Sequence, residues 1–456
     1  MRMGRLILLA LVVVGLGAYI AFVERHAPTT DQLKEQEGKL FPGFDQAKAK
    51  RVVIDNSHGR FELVKDKDTW TIKAPLADQA NQGAVASLLS SLSGLKSERT
   101  LAGKDLKLAE YGLDKPALAA TVEDDAGKSY TLRLGGELPL GTERAAQTSG
   151  TDVYLVSKYI ASDLDKDLAG WRSDELAQVY GADVASVTIA SPAGQLGLAH
   201  AGSSWTITAP VSDLADRDRA EGLIADVSGA RIKEFVDSAP DLKALGLEPR
   251  RFGLTIVKRD PKAAAIALDF GDERDAKDGK QVACKRGDRV FWVDAKTVTR
   301  LAAPWQEWRS RKLLEFDTWA ADKLEVEAGG AKAAVERKDG VWKAGTVELD
   351  GDAINARLTA LADLQVKAFD VAKPTGAALG SVKLSGEVGA AAQATFYRGA
   401  GDDVAVVAGR AGALAVDAAK GKDVLADPTA LARPKPTPTP TAKPAPSKPP
   451  APAAKK

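Results

Sequence analysis

The chain has 456 residues, which at roughly 150 residues per domain implies about three folded units and excludes one small domain. With 45% hydrophobic and 27% charged residues, most of it can bury a core and is not disordered by composition. One cysteine and three histidines exclude an intramolecular disulfide framework and any multi-cysteine zinc or iron–sulfur site.

The net charge of +1 conceals three segments of different sign. Arg2 and Arg5 make the start basic, and the stretch 433–456 carries six cations and no acid. Subtracting these eight charges from the total leaves the body at −7. A mildly acidic body is a poor polyanion binder, so the expectation is no nucleic-acid partner.

In chain order, the first element is the run 6–23, 18 uncharged and mostly apolar residues. As a helix at about 1.5 Å per residue it spans roughly 27 Å, close to the hydrocarbon core of a bilayer. Arg2 and Arg5 before it outweigh Glu24, Arg25 and His26 after it. This bias predicts a cytoplasmic N-terminus and an exported body, that is, a single-pass anchor in the cell inner membrane with the body in the periplasm. A cleaved signal peptide would use Gly15-Leu16-Gly17 and leave the apolar stretch Tyr19 to Val23 at the new terminus, so an uncleaved anchor is the preferred reading. No cysteine follows the run, which excludes a lipoprotein anchor. Export also suits the lone Cys284, which reads as a small core residue in a strand.

The body repeats itself. Val52-Val53-Ile54, Val187-Thr188-Ile189 and Leu324-Glu325-Val326 each lead, 16 residues after their last member, to Trp70, Trp205 and Trp342. Trp70-Thr71-Ile72-Lys73-Ala74-Pro75 recurs as Trp205-Thr206-Ile207-Thr208-Ala209-Pro210. Apolar residues alternating with polar ones at Val52 and Ile54, Phe61 and Leu63, and Trp70 and Ile72 predict three half-buried strands in a meander. A helix follows, with one apolar face at Val85, Leu88, Leu89, Leu92 and Leu95. Ala220, Leu223, Ile224, Val227 and Ala230 repeat that face, as do Ile354, Leu358, Leu361 and Leu364. Further strands are expected near Leu118 to Glu123, Tyr130 to Leu134 and Val153 to Val156, and Trp171-Arg172-Ser173 and Trp308-Arg309-Ser310 close the first two copies. The third lacks that closing motif and reads as a degenerate terminal unit.

The fold class expected is therefore α+β: an N-terminal transmembrane helix followed by tandem repeats, each a mostly antiparallel β-sheet packed with an amphipathic helix. The expected organisation is a cytoplasmic start and anchor (1–23), a linker (24–50), repeat 1 (51–180), repeat 2 (181–320), a degenerate repeat 3 (321–432) and a disordered Pro/Lys-rich tail (433–456). Nine prolines in the tail block helix and ladder formation and predict an extended segment.

The segment through Trp70 to Pro75, the helix with Leu88, Leu89 and Leu92, Tyr111-Gly112-Leu113-Asp114-Lys115-Pro116, the Gly135-Gly136 turn and Val153-Tyr154-Leu155-Val156 together resemble one family. It comprises bacterial membrane-anchored proteins carrying the domain of unknown function 4340. The resemblance spans about 50 to 430 and implies an exported, repeat-built body on one anchor. Some relatives are linked to gliding-type ABC-transporter auxiliary components, which implies envelope protein partners of that kind. It brings no catalytic residue.

Searches for chemistry give bland readings. Ser93-Gly94-Leu95-Lys96 fits the Ser-x-x-Lys pattern, but no Lys-Thr-Gly partner exists and the helix face is structural. His26, His58 and His200 stand singly, beside the anchor, in a turn and after a strand. Asp272, Glu273, Asp275 and Asp278 resemble a calcium loop, but Arg274 and Ala276 occupy ligand positions, leaving a solvated hairpin tip. Copy two's stretches 258–262 and 272–280 read as inserted loops. The repeated tryptophans read as core. No residue is assigned a catalytic, cofactor-binding or metal-binding role, and no cofactor is expected. The function read from this is a non-enzymatic, membrane-anchored extracytoplasmic scaffold or binding subunit. The alternative is an envelope hydrolase with a non-linear active site between repeats.

Overall fold

The computed structural model describes residues 36–101, 106–137, 142–386 and 392–431. The anchor run 6–23, His26 and the tail lie outside them. No helix among the described residues is long and apolar enough to cross a membrane. The chain divides into two compact units, meeting at Asp174 and Glu175.

The first unit holds β1 (Ala49–Asn56), β2 (Gly59–Asp66), β3 (Thr69–Ala74), β4 (Asp78–Gln79), helix α1 (Gln82–Gly94) and β5 (Arg99–Leu101). It continues with β6 (Leu118–Asp124), β7 (Ser129–Glu137), β8 (Glu143–Gln147) and β9 (Val153–Ser157). These form one nine-stranded sheet in the order β4-β3-β2-β1-β6-β7-β8-β9-β5. Two meanders thus abut through β1 and β6, where Val52 faces Val122 and Ile54 faces Ala120. After α1 the chain runs to the far edge as β5 before returning to the centre.

The second unit holds two further sheets of nine. One contains β10 (Val184–Ser191), β11 (Gly194–Ala201), β12 (Ser204–Ala209), β13 (Asp213–Leu214), α2 (Arg217–Gly229), β14 (Ile232–Val236), β15 (Phe252–Lys258), β16 (Ile266–Ala276), β17 (Gly279–Arg286) and β18 (Arg289–Asp294). The other contains β19 (Ala321–Ala328), β20 (Ala331–Lys338), β21 (Val341–Ala344), β22 (Val347–Glu348), α3 (Gly351–Ala362), β23 (Val366–Val371), β24 (Ala378–Gly386), β25 (Gln393–Tyr397), β26 (Asp403–Val407) and β27 (Ala413–Val416). Both repeat the strand order of the first sheet, and every pairing between these strands is antiparallel. The third copy, worn in sequence, therefore keeps a full complement of strands.

Period two explains the sheets and period 3.6 the helices. Val52, Ile54, Phe61, Leu63, Trp70 and Ile72 are buried on one face, and Val85, Leu88, Leu89 and Leu92 of α1 join them in a single core. The other copies bury the corresponding residues of α2 and α3. Each helix starts at a side-chain cap: Asn81 accepts from Ala84 N, Asp216 from Arg219 N, and Asp350 from Ala353 N. The cap residue's own N–H goes to the end of the copy, at 2.8 Å to Trp171 O, 2.6 Å to Trp308 O and 2.9 Å to Leu431 O. Leu431 therefore takes the backbone role of the closing tryptophan, which is why the third copy closes without a Trp-Arg-Ser motif.

Three sequence readings need correction. Gly135-Gly136 is not a turn: both residues lie inside β7, at a register shift against β8. A Cβ on Gly135 would stand 1.9 Å from Tyr111 O, and one on Gly271 2.0 Å from Leu245 O. These glycines let the Tyr111 and Leu245 segments lie directly on the strand and roof small back-face clusters, Leu113 with Ala145 and Val153, and Leu247 with Ala283, Val290 and Trp292. Asp272 to Asp275 do not form a loop tip but continue β16, whose ladder runs to Ala276 opposite Gly279. His200 lies inside β11, paired with Trp205, and not after the strand.

Replacing Gly135 by Ala is expected to destabilise the first unit by roughly 1–3 kcal/mol, the usual cost of overpacking against an unyielding backbone. Gly150→Ala, where nothing lies within 4 Å of the new methyl, should be close to neutral in the same denaturant titration.

Candidate functional site

The strand that ends at Ala74 or Ala209 leads four residues later to Asp78 or Asp213, repeat-equivalent carboxylates in β4 and β13. In the first unit the Arg172 Nη2 and Nε atoms each donate to Asp78 Oδ2 at 2.8 Å, with the guanidinium almost wholly buried. In copy two Arg309 Nε donates to Asp213 Oδ2, and neither side chain keeps more than 1% exposure. The Trp-Arg-Ser signature thus serves two purposes. Its tryptophan fills the core and holds the helix cap, and its arginine neutralises a buried carboxylate.

In the second unit this pair is the centre of the junction between copies two and three. Arg410, in the β26–β27 turn, donates through Nε to Asp213 Oδ1 at 2.6 Å. Its Nη2 reaches Ser310 O at 2.8 Å and its Nη1 reaches Leu313 O at 3.1 Å. Arg309 in turn donates to Asp370 Oδ2 and to Ala411 O, both in copy three. Beside Asp213, Leu214 packs into the copy-three core. Lys312 bridges Gln365, and Leu313 N donates to Leu364 O. Arg286, in the β17–β18 turn, makes the same kind of bond in copy two, donating to Glu175 O and Leu176 O. Copy one has no arginine in the corresponding 148–152 turn.

Glu315 lies beside this junction. Burial pushes its carboxyl above the usual range against the pull of Lys312 and Arg217, and its Oε2 has no partner among the described residues. Burial also draws the Arg410 guanidinium below its ordinary value, and Asp213 opposes that shift.

A second feature is a groove of about 760 Å³ in copy two, lined by Tyr180, His200, Arg217, Glu221, Ile224 and Arg259 among others. His200 stacks on Trp205 with ring centroids 4.4 Å apart and planes 3° apart, and its Nδ1 lies 3.1 Å from Val184 O. Burial, aided by the arginines nearby, lowers its basicity. Lys65 and Arg337 hold the equivalent place opposite Trp70 and Trp342. Arg217 Nε donates to Glu221 Oε1 at 2.7 Å, and Arg259 Nε to Ala182 O at 2.9 Å.

Of the residues singled out in the sequence, Arg309 and Ser310 of the closing motif lie at the junction and His200 at the groove, and the candidate chemical residues otherwise reach neither place. Ser93 lies near the end of α1 and makes no hydrogen bond with Lys96 among the described residues. His58 occupies an exposed turn, its N–H bonded to Asn56 Oδ1. Cys284 is fully buried in β17, and burial raises its thiol well above the ordinary value. Among the described residues no three of His, Cys, Asp or Glu gather as a metal site. Trp171, Trp205 and Trp308 are fully buried with indole N–H groups that find no acceptor there, so they contribute apolar area. Asp213 and Arg410 escaped the sequence reading. The recurrence of aspartate three residues after Ala-Pro was the available signal for the first.

Asp213→Ala strands two arginines and should cost about 3–5 kcal/mol, whereas Asp370→Asn, at a half-exposed partner, should cost less than about 1 kcal/mol; equilibrium unfolding of both variants checks this. For Glu315 the folded pKa lies above the unfolded value, so its stabilising contribution is full below about pH 4 and is lost as pH rises through the folded value. Glu315→Gln should therefore raise Tm at pH 7 and leave it unchanged below about pH 4, as thermal melts across pH would reveal.

No curated protein and no solved structure gives a significant match to the chain. The family described as "Domain of unknown function (DUF4340)" matches twice, over residues 70–248 and 205–380. Each match begins at the repeated tryptophan of one copy and runs into the next. Together they cover more than half of the sequence, and the chain belongs to that family.

Proposed function

We propose that the protein is a non-enzymatic scaffold or binding subunit of a bacterial envelope complex. In this reading residues 6–23 hold it in the cell inner membrane as a single pass, with its body in the periplasm. Its partners are envelope proteins, and the family resemblance favours components of an ABC-transporter-like or gliding-type assembly.

The observation that carries the reading is where the buried charge goes. Among the described residues, Asp213, Arg309 and Arg410 are the most deeply buried ionic groups, and they are spent on each other, on Asp370 and on backbone carbonyls of the copy junction. Such groups resist reorganisation and hold two sheets in a defined relation, which is what a display scaffold needs. The near-neutral but acidic body agrees with protein partners better than with nucleic acid.

The alternative of an envelope hydrolase draws on one observation: the copy-two groove carries polar residues that the other copies lack. Its carboxylate is already tied to Arg217 and its imidazole to a backbone carbonyl and a tryptophan face. That arrangement suits binding better than proton transfer.

Affinity purification of the full chain from detergent-solubilised native membranes tests the proposal. Recovery of at least one envelope component in fixed stoichiometry is expected. Recovery of the protein alone and monomeric would overturn it.

A further inference from the structure

The three copies share a fold, so a surface that one copy builds differently from the others marks a use beyond folding. The groove over α2 is such a surface. In copy one the entry segment seats Leu40 N on Leu95 O, and Phe41 and Phe44 then bury themselves, Phe44 with its ring centroid 4.8 Å from that of Tyr130. Copy two repeats the backbone bond from Leu176 to Ala230 O, but Ala177 and Tyr180 follow, and Tyr180 stays 74% exposed at the groove. Copy three has Asp317 four residues after the corresponding Leu313.

The charges differ in the same way. The helix positions occupied by Arg217 and Glu221 are Gln82 and Ala86 in copy one, and Gly351 and Asn355 in copy three. Arg259 N donates to Asp183 O, and the equivalent bond in copy one comes from Asp125, of opposite sign. The lining holds two arginines and one glutamate, and Asp317, which accepts from the lining Ser203, adds an acid near Arg217; Arg259 is left as the cation with no carboxylate partner among the described residues, above a floor that includes Ile224 and the His200 ring. Beyond their single Nε bonds, the guanidiniums of Arg217 and Arg259 donate no other side-chain hydrogen bond among the described residues.

We infer that this groove docks an extended segment of a partner protein that presents an acidic residue beside an aliphatic or aromatic one. The acid would meet Arg217 and Arg259, and the apolar side chain would lie between Tyr180 and Ile224. Shape decides for a polypeptide over a small molecule, because the groove is an open trough and small ligands need sites that enclose most of their surface. Exposed tyrosine and arginine are also the residues that carry most of the energy in protein interfaces. The chain's own tail carries six cations and no acid, so it lacks the carboxylate that Arg259 would engage. This inference rests on the binding-subunit reading and adds where a partner binds.

The test places a photoreactive residue, Tyr180→p-benzoylphenylalanine, in the full chain and irradiates native membranes, with crosslinked peptides mapped by mass spectrometry. The expected product joins position 180 to a segment of another protein with Asp or Glu within a few residues of a large apolar side chain. Arg217→Glu with Arg259→Glu should reduce its yield at least tenfold while the thermal melt stays cooperative. No crosslink, a crosslink to lipid, to a small molecule or to this chain itself, a mapped segment without acid, or a yield unmoved by the charge reversal would each overturn the inference. Partners that co-purify while position 180 stays uncrosslinked would defeat the groove alone and leave the scaffold reading standing.

Discussion

Asp213 has no exposed side-chain surface, and two guanidinium groups stand in for the water it lost on folding. One belongs to Arg309 of its own copy and the other to Arg410 of the next, so the carboxylate is fully partnered only when copies two and three are joined. The arginines in turn use their remaining donors on Ser310, Leu313 and Ala411 carbonyls. Dissociating the copies would leave those carbonyls and the carboxylate to be resolvated together. A single buried anion thus couples the folding of one sheet to the placement of its neighbour.

The same logic shows how the copies are specialised. Arg172 and Asp78 repeat the pair in the first unit, and Arg286 repeats the carbonyl-binding role of Arg410. Copy one carries no arginine in its 148–152 turn, and copy three ends on Leu431 without the tryptophan and arginine of the earlier copies. Within the second unit the arginines that join the copies, Arg309 and Arg410, come one from each copy. The strand order itself is identical throughout, because it rests on alternating apolar residues and a capped amphipathic helix that all three copies retain.

The helix face of copy two differs from those of the other copies. Its core side keeps Leu223, Ile224 and Val227, like its counterparts, while its outer side has gained the Arg217–Glu221 pair and faces Arg259 and Tyr180. The fold tolerates such changes because exposed positions on a capped helix cost little, so a common scaffold can carry one copy-specific surface. A scaffold function and a localised binding groove are compatible for that reason.

Composition and periodicity alone determined that the body is built of copies, that each pairs alternating strands with one amphipathic helix, and that the repeated tryptophans are core. These features follow from local spacing, which the chain displays directly. The short strands β4 and β5 at the sheet edges and β8 inside it were not legible, since two to five residues carry no periodic signal. The in-strand role of Gly135 and Gly271 was equally hidden, because it depends on a carbonyl more than 20 residues away. The junction of Asp213 with Arg309 and Arg410 spans about 200 residues of sequence, and the groove at His200 gathers residues from four separate segments. Only the tertiary structure decided these, because burial and charge pairing are properties of what surrounds a side chain and not of the residue itself.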